Sequence, residues 1–200
     1  AKVLEKAPNH PTIRIPLAVA LWQSGKQDEA KEQFTAASEH ASKQPSIWTD
    51  LGRAHLQIEQ PEAALRYFQK TQNQSHIAAA LIAAGKPEEG IALYDAMLKQ
   101  NPGNHQIANK LAWTLATHGE EKVRDPERAL ELAGHLGNLT GFGDPIVLNT
   151  LAAAHASAGS FEEAEQYAVK ARRIARATGM TTLVSELSDR IKSYRDHKNS

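Results

Sequence analysis

The sequence predicts an all-α protein made of stacked helix–turn–helix repeats. Apolar residues recur at spacings of three, four and seven, which is the stripe of an amphipathic helix. One skeleton recurs five times along the chain: an apolar first helix, a short turn, and a second helix with an acidic start. No stretch alternates apolar and polar residues over the length of a strand, so we expect no β-sheet.

Composition narrows the possible functions. The chain has 200 residues, of which 41% are hydrophobic and 23% are charged, a balance typical of globular proteins. Lys and Arg together number 23, as do Asp and Glu, so the basic excess of a nucleic-acid-binding domain is missing. No apolar run approaches the roughly 18 residues of a membrane span. Since cysteine is absent, disulfides, thiolate zinc ligands and a cysteine nucleophile are excluded. We therefore expect no nucleic-acid partner and no direct insertion into a membrane.

The recurring skeleton divides the chain into repeats of unequal length. The first helix of repeat 3, around Ser75–Ala84, should have only two to three turns, and repeat 4 carries an insertion at His118–Arg124. The predicted order is the end of a truncated preceding repeat at 1–10, repeat 1 at 11–44, repeat 2 at 45–73, repeat 3 at 74–104, repeat 4 at 105–144, repeat 5 at 145–179 and a capping helix at 180–200.

Aspartate, serine and proline indicate where helices begin. Asp125 and Asp144 each precede a proline, which suits an N-cap followed by a residue whose missing N–H costs nothing in the first turn. Ser160 and Glu163 have the spacing of a capping box, in which both side chains bind free N–H groups. Pro16 is tolerated only in a first turn, so we expect its helix to begin close to it.

Glycine indicates where first helices end. Gly25, Gly85, Gly119 and Gly159 each follow an apolar helical stripe. Glycine is the usual residue just after a helix because it adopts the left-handed conformation without steric cost. We expect this role for all four.

The residues of repeats 2 and 5 resemble the tetratricopeptide repeat family. The matching positions are Trp48, Leu51, Gly52, Ala64 and Phe68 in repeat 2, and Leu151, Gly159, Phe161, Ala164 and Ala171 in repeat 5. The resemblance implies a right-handed superhelical solenoid whose first helices line a concave groove, closed by a C-terminal capping helix. It also implies non-catalytic binding of a protein or peptide. The segment from Asn109 onward resembles tails that close larger bacterial proteins, so we expect the C-terminal module of such a protein.

The repeat register predicts which side chains face the groove. They are mostly polar or aromatic residues of first helices that turn away from the partner helix. The candidates are Trp22, Gln23, Thr49, Asp50, Arg53, Gln57, His76, Asn109, Lys110, Trp113, Thr117 and Asn149.

Two of these predictions have structural alternatives. Trp113 is either an exposed binding residue or packs against the insertion at His118–Arg124. Arg53 and Asp50 form either a solvated pair within one helix or a clamp for a peptide carboxylate. The complete Lys, Asn and Arg set with which some family members grip a C-terminal carboxylate is missing.

No set of residues predicts catalysis, a metal or a cofactor. His118 and Glu121 have a metal-ligand spacing but fall in the insertion, and Gly141–Gly143 follows a helix instead of a strand. His55 and His155 occupy positions where the repeat packs a large residue, so we expect half-buried structural side chains. The basic residues around Arg173 suit the C-terminal end of a helix dipole better than a binding patch.

The sequence therefore predicts a scaffold that binds a protein or peptide in its groove. Two alternatives stay open. The chain could position a substrate or partner for a catalytic or redox domain outside it, or it could self-associate into a homo-oligomer. Either the cytoplasm or the periplasm is compatible with the sequence.

Overall fold

A computed structural model describes residues 10–39, 41 and 44–198, and all regular secondary structure in these ranges is helical. These residues contain no strand, which confirms the all-α prediction. The helices are α1 (Pro11–Gln23), α2 (Gln27–Ser38), α3 (Ser46–Gln57), α4 (Pro61–Thr71), α5 (Gln74–Ala83), α6 (Pro87–Gln100), α7 (His105–Thr117), α8 (Pro126–Leu139), α9 (Pro145–Ser157), α10 (Phe161–Ala177) and α11 (Thr181–Lys198).

The chain divides into two compact units, with the division inside α6 between Leu93 and Tyr94. In unit 1, α1 packs against α2 and α3 against α4, and the first helices α1 and α3 also contact each other. In unit 2, α7 packs against α8 and α9 against α10, the first helices α7 and α9 are in contact, and α11 follows on α10. Both units are therefore stacks of helical hairpins. The exact repeat boundaries stay predictions, and residues 1–9 of the truncated preceding repeat lie outside the described residues.

The core of unit 1 needs small residues where its helices approach closely. Phe68 of α4 is fully buried against α3. A Cβ atom on Gly52 would lie 2.4 Å from its ring, so glycine is required at this contact. A Cβ on Gly90 would similarly come within 2.5 Å of the Ile82 side chain, which brings α6 close to α5.

The core of unit 2 joins alanines of α10 to larger side chains of α11. Ala164, Ala168, Ala171 and Ala175 are all fully buried along one face of α10. This stripe packs in one cluster with buried apolar residues of the last helix, namely Leu187, Ile191 and Tyr194. The outer side of α11 carries exposed polar residues. The helix thereby covers an apolar surface that α9 and α10 would otherwise leave to solvent.

The helix ends follow the predicted turn chemistry at three of four glycines. Gly25, Gly85 and Gly159 have φ angles of 84°, 75° and 78°, the left-handed conformation expected after a helix. The expectation for Gly119 is wrong. The chain leaves α7 through an extended His118, and the insertion then forms a short 3₁₀ turn at Glu121–Val123.

The helix starts show one wrong prediction among three. Asp125 accepts a hydrogen bond from the Arg128 N–H, and Asp144 accepts from Ile146 and Val147, as expected of N-caps. Ser160 occupies the N-cap position of α10, but its side chain makes no capping hydrogen bond. The capping box predicted there does not form.

Two further expectations concern the first helices of repeats 1 and 3. The short helix of repeat 3 is confirmed, since α5 has 10 residues. The expectation for Pro16 is wrong, because α1 begins at Pro11 and places Pro16 in the helix interior. The N-terminal proline of this helix is Pro11, and Pro16 interrupts the hydrogen bonds of its second turn.

Candidate functional site

The first helices of unit 1 enclose a cleft. It lies between α1 and α3 and has a volume of about 470 Å³, which falls within the range of small-ligand and side-chain pockets. Its floor is apolar and includes Ile15 and Val19 of α1 and Ala54 of α3, which are only 5 to 8% exposed. The rim is polar, and four predicted candidates line it: Gln23, Asp50, Arg53 and Gln57.

The charged side chains of the rim are not neutralised by each other. Asp50 and Arg53 are exposed and one helical turn apart, yet no ion pair within the described residues joins them. The Arg53 guanidinium instead lies 3.5 Å from Nε2 of His76 on α5. The imidazole of His76 stacks on Phe68, with ring centroids 4.9 Å apart. Arg53 is therefore held at the rim by a neighbouring first helix, with its charge accessible to a ligand.

Besides His76, two candidates of unit 1 do not line the cleft. Trp22 is half-buried and packs against the core cluster shared by α1, α2 and α3. Thr49 is also half-buried. The register placed both on the groove side, but their contact with a ligand stays a prediction.

The first helices of unit 2 carry two asparagines at matching positions. Asn109 of α7 and Asn149 of α9 each stand two residues before a Leu-Ala pair. Their Oδ1 atoms are buried and have no hydrogen-bond partner within the described chain. A buried acceptor without a partner typically costs about 1–3 kcal/mol. Two buried acceptors without hydrogen-bond partners are unusual where side chains serve only to pack helices together.

The expected orientation of Asn149 needs correction. The register predicted an outward-facing side chain, but Asn149 is only 7% exposed. The residues of α9 from Val147 to Ala154 are all buried, because α9 is enclosed by α7, α8 and α10. The side chain that the register turned toward solvent is instead buried.

Trp113 has a partner that the sequence did not predict. The Arg190 guanidinium of α11 lies over the indole ring of Trp113, 4.5 Å from its centroid. This cation–π contact joins the last helix, α11, to the first helix α7. The indole is half-buried as a result. The insertion, which was the alternative packing partner, buries Val123 against the fold, but the side chain over this ring is Arg190.

The two remaining candidates of unit 2 belong to α7. Lys110 is half-buried, and Thr117 at the end of the helix is exposed and donates from its hydroxyl to the Trp113 carbonyl. Neither lines the cleft between α1 and α3.

His55 and His155 are packed against tyrosines in the same way. His55 of α3 is 6% exposed, donates from Nδ1 to the Leu51 carbonyl at 2.8 Å, and lies 5.0 Å from the Tyr67 ring. His155 of α9 stacks on Tyr167 at 5.2 Å. Burial lowers the pKa of both imidazoles below the usual 6.5. Both histidines are therefore neutral packing residues, and His55 is more deeply buried than expected.

Neither a metal-binding cluster nor a membrane-spanning helix is present among the described residues. Within them, no group of three or more His, Asp or Glu residues is arranged to hold a metal ion. Across the same ranges, no helix is both long and apolar enough to cross a bilayer. The side chains at the cleft can bind through apolar contact, charge and hydrogen bonds.

Sequence reasoning missed three kinds of residue at these sites. Ile15 and Val19 form the floor of the cleft, but the apolar stripe of α1 gave no sign that α3 leaves them partly uncovered. Thr12 and Pro16 line the same cleft. Arg190 lies in the predicted capping helix, and only the fold brings it to Trp113.

Comparison with family models identifies the fold. Models described as tetratricopeptide repeat match residues 15–76, 77–133 and 147–178. These ranges cover well over half of the chain, and the chain belongs to the tetratricopeptide repeat family. The resemblance inferred from residues such as Trp48 and Leu151 is confirmed.

Comparison with solved structures gives two matches, of which the first supports the fold. TTC0263, a thermophilic TPR protein of Thermus thermophilus, is 18% identical with a TM-score of 0.61, and the match covers 90% of this chain and 98% of that one. YrrB, described as a TPR protein with an unusual peptide-binding site, is 15% identical with a TM-score of 0.48, covering 92% of this chain and 96% of that one. No curated protein matches the sequence.

Proposed function

We propose that this chain is a non-catalytic binding module that holds a segment of another protein, or a peptide, on its first helices. The observation that carries the proposal is the cleft between α1 and α3. An apolar floor with a polar rim is the usual composition of a binding site, in which the floor supplies affinity and the rim supplies specificity.

The chemistry of the rim supports a peptide as the ligand. Asp50 and Arg53 offer opposite charges, and Gln23 and Gln57 offer amide donors and acceptors. A peptide presents charged side chains and a main chain rich in both donors and acceptors, so it can satisfy all of these groups together. Because the cleft is bounded by helices, it is already formed before binding and little ordering cost opposes the association.

The asparagines of unit 2 give the proposal independent support. Buried amide oxygens without partners are rare in a folded protein. Rotation of Asn109, which is half-buried, would turn its amide toward a bound main chain. We infer that the first helices of unit 2 contribute a second set of contacts to the same kind of ligand.

The test fills the cleft without disturbing the core. Ala20 lines the cleft but is exposed, so Ala20→Leu keeps the helix and occupies part of the binding volume. A displayed library of random ten-residue peptides is selected on the whole chain, and the affinities of the selected peptides are measured by calorimetry. We expect Ala20→Leu to weaken binding by about tenfold or more, a loss of roughly 1.4 kcal/mol.

The matched control is Ala83→Leu, an exposed alanine on the first helix α5 outside the cleft. Its affinities should equal those of the wild type. If selection returns no peptide, or if both leucine variants bind like the wild type, the cleft is not a peptide site.

A further inference from the structure

The last two helices of unit 2 match each other's charges along only half of their contact. Glu162 of α10 pairs with Lys198 of α11 at 3.6 Å, and Glu165 pairs with Arg195 at 2.6 Å. From the first pair to the second, the contact moves three residues forward on α10 and three residues back on α11. The two helices are therefore antiparallel, and the basic end of α11 neutralises the acidic start of α10.

The basic end of α10 has no such match. Continued along both helices, the same register brings Arg172 to Ser188 of α11, to whose hydroxyl its guanidinium donates at 3.4 Å. It sets Arg176, one turn further on, opposite Val184. No carboxylate within the described residues pairs with Arg172, Arg173 or Arg176. This half of α10 is therefore left positive.

Neither the helix dipole nor the acidic residues of α11 account for these cations. The dipole acts on the last turn of a helix, and Arg176 is the only one of the three arginines in the last turn of α10. Glu186 of α11 lines a cleft with Ile146 of α9, on another side of the helix. Asp189 is exposed and forms no ion pair in the described part of the chain. The arginines are available to a ligand.

An exposed apolar residue lies on the same side of α10. Val169, Arg172, Arg173 and Arg176 have the spacing i, i+3, i+4 and i+7, which places them on one face of the helix. Val169 is 36% exposed, one of a few large apolar side chains that the described residues leave at the surface. Arg173 and Arg176 are also exposed. We call these four residues the α10 stripe, and they extend over about 10 Å of the helix axis.

The chemistry of the α10 stripe fits a short acidic segment of a protein. Arginine binds carboxylates through two parallel hydrogen bonds, and an apolar side chain can cover Val169. Longer polyanions fit less well, because the exposed Glu162 and Glu163 at the start of α10 would repel them. Three arginines are also fewer than the roughly four to eight cations of clusters that bind anionic lipids.

We propose that the α10 stripe is a docking site for an acidic segment of a partner protein. Carboxylates of the segment pair with Arg172, Arg173 and Arg176, and one of its apolar side chains packs on Val169. The stripe lies on a second helix, so it is separate from the cleft between α1 and α3 and adds a second interaction surface to the proposed function.

The test measures binding of a defined acidic peptide to the whole chain. The probe is a fluorescein-labelled peptide of about twelve residues, in which a central leucine is flanked by aspartates and glutamates, and its anisotropy is recorded at about 50 and 150 mM salt. We expect saturable binding that weakens with salt. Arg173→Glu/Arg176→Glu should lower the affinity by about tenfold or more, because it replaces attraction with repulsion. Val169→Ala should lower it about threefold at both salt concentrations.

The matched control is Lys99→Glu/Arg124→Glu, which changes the net charge of unit 2 by the same amount at exposed positions outside the stripe. It should lower the affinity by less than about twofold. Circular dichroism checks that every variant keeps its helicity.

Three results would overturn the proposal: no saturable binding of the acidic peptide, equal losses in the two double variants, or equal binding of a peptide with asparagine and glutamine in place of the acidic residues. Binding of duplex DNA or phosphatidylserine vesicles without binding of the peptide would also overturn it. Ala20→Leu should leave the affinity for the acidic peptide unchanged, so failure of this proposal would not affect the proposed function.

Discussion

At the scale of single residues, the buried His55 and the half-buried His155 should make the stability of each unit depend on pH. His55 packs between the rings of Phe34 and Tyr67, and His155 packs on Tyr167. Burial is the main cause of the lowered pKa at both. At His55 the nearby Arg66 lowers the pKa further and the Leu51 carbonyl opposes the shift, while at His155 Glu163 opposes it. The unfolded chain therefore binds these protons more tightly than the folded chain.

The sign of the pH dependence follows from this difference. Above the ordinary histidine pKa of 6.5 both states are unprotonated, and the free energy of unfolding does not depend on these groups. As the pH falls below 6.5, the free energy of unfolding should decrease. The double variant His55→Phe/His155→Phe keeps an aromatic ring at both positions and should lose much of this decrease. Urea unfolding at pH 7.5, 6.5 and 5.5 measures the free energy of unfolding of both proteins. If the double variant loses as much stability at low pH as the wild type, the two histidines are not the cause.

The repeat register placed side chains together correctly where one helix decides their positions, and it misplaced them where packing of distant helices decides. The register brought Asp50, Arg53 and Gln57 to one cleft because they follow one face of α3. It placed Asn149 at the surface, although α9 is enclosed on several sides. It could not foresee that Arg190 would cover Trp113, because that contact depends on how the last helix packs.

At the scale of helices, the N-caps of α9 and α10 provide a matched pair. Asp144 accepts hydrogen bonds from the N–H groups of Ile146, at 2.8 Å, and Val147, at 3.4 Å, whereas the Ser160 side chain bonds to no N–H of α10. Asp144→Ala should lower the free energy of unfolding by roughly 1 kcal/mol. Ser160→Ala should change it by less than about 0.5 kcal/mol. Chemical denaturation compares the two, and equal losses would contradict the difference in capping.

Helix boundaries were predictable from turn chemistry except where a competing feature was present. Gly25, Gly85 and Gly159 end first helices because the left-handed conformation is cheapest for glycine. Gly119 does not, since the insertion continues from an extended His118. The start of α1 was predicted too close to Pro16. The helix begins five residues earlier, at Pro11, which takes the first-turn position expected of a proline.

At the scale of the whole molecule, the family fold was predictable because its signal is repeated. Each predicted repeat alone carries a degenerate pattern, but five such patterns in succession all indicate the same helical hairpin. Neighbouring hairpins also bury the apolar surface that a single hairpin would expose to solvent. The cleft was only partly predictable, because it depends on the gap between two helices. Ile15 and Val19 form its floor only because α1 and α3 leave a space between them.

The measurement that most directly tests the central claim is a map of the bound peptide by nuclear magnetic resonance. Backbone chemical shifts of the isotope-labelled chain are recorded with and without a library-selected peptide. The account predicts that the largest changes fall on α1 and α3 around Val19, Arg53 and Ala54. Exposed residues of the second helices, such as Glu32 and Gln69, should change little. Changes concentrated on α2 and α4, with none at the cleft, would contradict the claim that first helices form the binding surface.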